Sequence, residues 1–216
     1  MKVETFASLA AVAVALVGFI VTYAISLRLA VRKDQLDRVD RQLRDLYGPL
    51  FSLNRVSAEV YRAFRQEWRR DVQGYWSNAV PPTDDEARAW RLCMVEVFFP
   101  LIARMEDLVI QHADLIDETE MPGCLLELVT HVSTYRAVLR AWEEGDYSRH
   151  TSMLPYPRQT ITEYLERRYA ELKHRQGELL GTAPSRRAGP SAPAGETRLV
   201  PPSLVAPRAH RPAGAE

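Results

Sequence analysis

The 216-residue chain carries 28 basic and 28 acidic side chains and so has no net charge, which removes the global field that attracts nucleic acid. Arginine outnumbers lysine 25 to 3, and alanine and proline are abundant, a coding bias that points to a bacterial source. With an apolar N-terminal segment and a Pro-rich end set aside, about 150 residues remain, enough for one compact domain.

Residues 6–27 contain no charged side chain, and half of them are Leu, Ile, Val or Phe. At 1.5 Å per residue they reach about 33 Å, enough to cross a hydrocarbon core of about 30 Å. A cleaved signal peptide fits worse, because its apolar region runs about 7–15 residues behind a positive start and ends at a small-residue site. Here Glu4 cancels Lys2, and the run meets Arg28 without an A-x-A site. Residues 1–28 therefore read as an uncleaved transmembrane anchor, with the lipid bilayer as first partner. Lys2 stands alone on one side, whereas Arg28, Arg32, Lys33, Arg38, Arg41 and Arg44 crowd the other. The positive-inside rule then places the N-terminus outside and the body of the protein in the cytoplasm. There Cys93 and Cys124, which lie in apolar helical patterns without CxxC spacing, are expected reduced and buried.

Within the anchor, Ala7, Ala11, Ala15, Gly18, Thr22 and Ser26 share one stripe, and Leu9, Leu16, Phe19, Ile20 and Tyr23 lie elsewhere. Small residues let membrane helices approach closely, so Ala11, Ala15, Gly18 and Thr22 form a candidate seam for a homodimer. The competing account is that alanine is simply frequent in this composition.

Residues 29–47 read as an amphipathic stalk helix. Leu29, Leu36 and Leu43 repeat every seven residues, with Val39 and Leu46 between them. Asp34 with Arg38, Asp37 with Arg41 and Asp40 with Arg44 have the favourable acid-to-base order at i,i+4. The stripe suits a short coiled coil or packing on the protein's own bundle. Gly48-Pro49 is expected to end the stalk.

A bundle domain, residues 48–181, follows. Its first helix shows Leu53, Val56, Val60, Phe64 and Trp68 on one face. Residues 74–82 read as a loop, and Thr83 with Glu86 forms a capping box for the next helix. Trp90, Met94, Val97, Leu101, Met105 and Leu108 continue its stripe through Pro100, which is expected to kink or divide it. After the acidic turn 114–120, Pro122 opens a helix with Leu125, Leu128, Val132, Tyr135, Leu139 and Trp142 on one side. Gly145 stops it, and Ile161, Leu165, Leu172 and Leu179 mark a last helix ending at Gly181. Residues 182–216 lack apolar periodicity and are expected to be disordered, although 199–205 has the composition of a short docking segment.

Chemistry-bearing patterns are few. Glu127 and His131 share a helix face and His112 ends the preceding helix, but a bundle diiron site needs Glu-x-x-His on two helices. A hydrogen-bonded helix histidine is the better reading, and neither a metal nor another cofactor is indicated. Phosphate loops and nucleophile elbows are absent from the sequence, so no catalytic residue is assigned. Arg69-Arg70 and Arg167-Arg168 read as solvated helix faces, with a phosphate or headgroup contact as the alternative.

The stretch Leu46-Tyr47-Gly48-Pro49-Leu50, with His131-Val-Ser-Thr-Tyr135-Arg136 and Tyr156-Pro157, resembles short bacterial single-pass membrane-anchored helical proteins with a charged stalk and a Leu-Tyr-Gly-Pro-Leu motif. The resemblance spans about residues 5–180. It implies a membrane-tethered helical domain and carries no activity with it. The expected class is all-α: a transmembrane helix and stalk, then a cytoplasmic bundle of four or five helices. The expected function is an interaction or scaffold protein with an unidentified protein partner. A sensor or regulatory subunit signalling through the stalk is the alternative, and an enzyme with a bundle-embedded site comes third.

Overall fold

The chain enters its fold on one long helix. In the computed structural model, residues 2–182 are described except 71, 73, 74, 77 and 78, with side chains from residue 14 onward. The tail beyond 182, including 199–205, lies outside the described residues. Helix α1 (Lys2–Arg41), a π-helical turn (Gln42–Tyr47) and α2 (Gly48–Trp68) follow without interruption.

The Gly48-Pro49 pair therefore does not end the stalk. A proline inside an α-helix lacks the N–H for its own bond, and its ring presses on the carbonyl four residues back. Widening the preceding turn relieves that clash: the Gly48 N–H donates to the Leu43 carbonyl, five residues back. The wider turn brings this carbonyl against position 48, where a Cβ would lie 2.3 Å from the oxygen. With φ at −63°, Gly48 is needed for this close approach and not as a left-handed cap.

The same device recurs at the second proline. Helix α3 (Asp84–Cys93), a π turn (Met94–Phe98) and α4 (Phe99–Gln111) form one rod, in which the Phe99 N–H donates to Met94 just before Pro100. Pro100, expected to kink or divide the helix, does not divide it: the helical path runs on through the π turn into α4. At the start of α3 the Thr83–Glu86 capping box is formed in both directions. Helix α5 (Gly123–Glu143) begins after Pro122 and buries Leu125, Leu128, Val132, Tyr135 and Trp142 as its periodicity predicts. Gly145, at φ 83°, turns the chain away. Helix α6 (Arg158–Leu180) ends on Gly181 at φ 73°. No strand occurs among the described residues, and the fold is all-α.

One apolar stretch of the first helix is long enough to span a membrane, and none of it is buried. Val14, Leu16, Phe19 and Ile20 are all more than half exposed, unlike the core helix of a soluble domain. Leu29 is exposed too, but Val39, Gln42, Leu46 and Tyr47 are buried. The lower stalk is thus the first helix of the bundle, packed against α6, and its heptad leucines divide between two environments. The three expected i,i+4 pairs give way to other partners, two of them distant in sequence and one adjacent. Arg38 reaches Asp117 at 2.9 Å, Asp40 accepts from Gln176 at 2.7 Å, and Arg44 pairs with Asp45.

On α2 the buried face is rotated from the expected one. Leu50, Asn54 and Phe64 are buried, while Val56 and Trp68 are exposed. Burying Asn54 is tolerable because its amide is satisfied: it donates to Thr162 Oγ1 at 3.0 Å and accepts from the Tyr156 hydroxyl at 3.2 Å.

Candidate functional site

Two polar or semi-polar regions stand out in the bundle, and they differ in what their groups still lack. The first surrounds the π turn. Gln42 donates to the Leu115 carbonyl at 2.8 Å, the Tyr47 and Tyr164 hydroxyls meet at 3.1 Å, and Tyr164 reaches Glu118 at 3.2 Å. Arg168 pairs with Asp117 at 2.9 Å and lies over the Tyr47 ring. Burial, followed by the Tyr47 contact, pushes the Tyr164 phenol far above its ordinary range. Arg168 is therefore not a solvated helix-face residue but a tie between α6, the acidic turn and the π turn. This cluster is a latch whose donors and acceptors are matched apart from Arg168 Nε, which is buried without a hydrogen-bond partner.

The second region is a cavity of about 470 Å³ at the other end of α2. Ser57 and Tyr61 come from α2, and Tyr75 and Trp76 from the loop after it. Trp90, Met94, Phe98 and Ile102 come from the α3–α4 rod, His131 and Tyr135 from α5, and residues 151–156 with Arg158 close the remaining side. The rings brace one another. Trp90 stacks on Tyr75 with centroids 4.8 Å apart and meets Tyr61 and Trp76 edge-on. Trp90 Nε1 donates to the Tyr135 hydroxyl at 3.3 Å, which donates to the His150 carbonyl at 2.8 Å.

Arg69 holds the Tyr75 wall in place. It is buried rather than solvated, 2.9 Å from Glu86, bonded to the Val80 carbonyl and lying over the Tyr75 ring. Glu86 serves twice, since it also closes the Thr83 capping box; that backbone bond first, and Arg69 after it, hold its carboxyl below the usual range.

His131 faces this cavity and does not form a site with Glu127. Its Nδ1 lies 2.7 Å from the Leu154 carbonyl and 2.8 Å from Ser152 Oγ. Because Nδ1 donates to the carbonyl, Nε2 is the acceptor of a neutral ring. Burial lowers its pKa, against the opposing effect of the Leu154 bond. Glu127 is exposed, and no group of three His, Cys, Asp or Glu is placed to hold a metal among the described residues. Trp76 Nε1 is buried without a hydrogen-bond partner, so a donor at the cavity wall is unspent.

Arg158 sits at the mouth, its guanidinium 3.8 Å from the centre of the Tyr61 ring. On its far side lies a shallower groove of about 260 Å³ that shares Tyr61 and Arg158 and adds Arg62, Arg65 and Arg70.

The remaining sequence candidates lie elsewhere. Ala15, Gly18 and Thr22 are exposed on α1, whereas the side chain of Ala11 is outside the described set. A Cβ at Gly18 would touch nothing within 4 Å, and Thr22 Oγ1 donates to the Gly18 carbonyl at 2.9 Å. Cys93 and Cys124 are free thiols, half-buried rather than fully buried, with pKa values raised by burial. The cavity itself was not assigned from sequence. Its signal was the crowding of Tyr61, Phe64, Trp68, Tyr75, Trp76, Trp90, Phe98 and Phe99, which helical periodicity treats only as core.

No protein-family model, curated protein or solved structure matches this chain.

Proposed function

We propose that this protein is a membrane-anchored sensor or regulatory subunit whose bundle binds a small aromatic ligand and passes its occupancy along the first helix. One observation carries the reading: Ser57 and Tyr61 line the cavity on the same unbroken helix that begins with the membrane-length segment. A cavity of several hundred Å³ with aromatic walls and a few convergent polar groups is the ordinary form of a small-molecule site. The basic flank 28–44 supports placing this site in the cytoplasm. The scaffold reading retains one specific support. Leu92 and Val95 are three residues apart along the helical rod and are 66% and 46% exposed, a small apolar face suited to a protein partner.

Indole, neutral and planar, tests the cavity. Titrated into the full-length chain in detergent micelles, it is expected to bind saturably and to stop binding in Ser57→Trp, which fills the space. Equal uptake by both proteins, or only unsaturable partitioning, contradicts the reading.

A further inference from the structure

Resting on the cavity reading above, we propose that the ligand is a planar ring bearing an anionic tail, as in a nucleoside monophosphate or an aryl phosphate. The ring stacks inside the aromatic cavity, and the anion leaves through the mouth past Arg158 onto Arg65 and Arg70.

The charge at the two connected spaces favours this class. Among the described residues no Asp or Glu lines the cavity or the adjoining groove, whereas Arg62, Arg65, Arg70 and Arg158 do. Arg62 is neutralised locally by Glu59 at 2.5 Å. Arg65 donates to the Val72 carbonyl and Arg158 lies on the Tyr61 ring; neither these two nor Arg70 form an ion pair among the described residues. Three cations without carboxylate partners among the described residues, beside an apolar space, attract an anion and repel the quaternary ammonium ligands that aromatic cages otherwise take. Guanidinium groups also suit phosphate, since they offer paired donors in a planar fork.

The cavity's polar groups suit a heteroaromatic edge. Trp76 Nε1 supplies an unspent donor, and His131, held neutral by its environment, supplies an acceptor. Stacking of a base on aromatic side chains is tolerant of base identity, so these two groups set the preference among rings. A lipid of the protein's own membrane is a poor occupant. From Leu27, the end of the apolar run, to Ser57 the helix rises about 45 Å, which carries the mouth beyond the headgroup layer.

The test compares AMP, adenosine, phenyl phosphate and inorganic phosphate by calorimetry on the full-length chain in micelles. AMP and phenyl phosphate are expected to bind saturably, with adenosine and inorganic phosphate each at least tenfold weaker than AMP. AMP tighter than phenyl phosphate by more than tenfold assigns a nucleotide, and comparable binding assigns the broader aryl phosphate class. Arg70→Glu, which lies outside the aromatic cavity, is expected to weaken AMP at least tenfold while leaving indole binding unchanged, and Arg158→Gln is expected to weaken AMP at least tenfold. Equal affinity for AMP and adenosine, or AMP binding insensitive to both arginine variants, overturns the proposal while leaving the indole result standing. Failure of indole itself removes the cavity reading and this one together.

Discussion

The latch at the π turn and the aromatic cavity lie on the same helix, yet they solve opposite problems. Around Gln42, Tyr47 and Arg168 the polar groups other than Arg168 Nε find partners across three segments, and Leu46, Tyr47 and Leu50 are completely buried. Around Ser57 and Tyr61 there is open volume, an unpartnered indole N–H and a guanidinium lying on an aromatic face. Matched groups and close packing are what stability requires, whereas unspent donors beside a void contribute nothing to folding. The contrast is the physical ground on which the proposed division of labour rests, with stability carried at the latch and ligand binding at the cavity.

The largest effect expected from breaking this contrast is at Gly48. Gly48→Ala puts a methyl group against the Leu43 carbonyl at a distance no Cβ contact tolerates, so the π turn must rearrange. A loss of about 3 kcal/mol is expected in denaturant unfolding of the full-length chain. A loss below about 1 kcal/mol, the ordinary cost of a surface change, would show that the turn relaxes freely.

Ser57→Trp should behave in the opposite way. The added ring enters existing space, so unfolding is expected to shift by less than about 1 kcal/mol while indole binding disappears. Tyr47→Phe at the latch is the counterpart: it removes the hydroxyl shared with Tyr164, costs about 1 kcal/mol, and leaves binding intact. If Tyr47→Phe abolished binding, the division between the two regions would fail.

A weaker effect sharpens the contrast through pH. Burial depresses the pKa of His131, and burial followed by the nearby Arg91 depresses that of His150. The unfolded chain then binds more protons than the folded one below about pH 6.5, so stability is full above that value and falls as pH drops toward the folded pKa values. His131→Gln keeps a donor for Leu154 but does not titrate. It is expected to flatten the slope of stability between pH 6.5 and 5, by at most about 1.4 kcal/mol per pH unit. An unchanged slope would mean that His131 protonates freely in the fold.

Much of the architecture is legible in the sequence because it rests on local rules. The apolar run, the Thr83 capping box, the α5 stripe and the Gly145 and Gly181 stops each follow from a few neighbouring residues. The errors share a cause. Gly48-Pro49 looks like a break, and Pro100 like a possible point of division, until a π turn shifts the carbonyl out of the proline's way, which no propensity rule reports. The buried face of α2 is not legible locally because Asn54 reads as solvent-facing until Thr162 and Tyr156 arrive from more than a hundred residues downstream. Arg69 and Arg168 likewise look like surface charges, but each is drawn inward by an aromatic ring and a distant carboxylate. The cavity escaped the reading because it is a space among aromatic residues that periodicity assigns to the core.

Hydrogen exchange on the full-length chain in lipid nanodiscs, with and without AMP, tests the proposed coupling between the cavity and the membrane-length first helix most directly. The account predicts protection in the peptide carrying Ser57 and Tyr61 and a further change extending through the π turn to Gln42. Protection confined to the cavity, with the peptide from Gln42 to Leu50 unchanged, would contradict transmission along the helix.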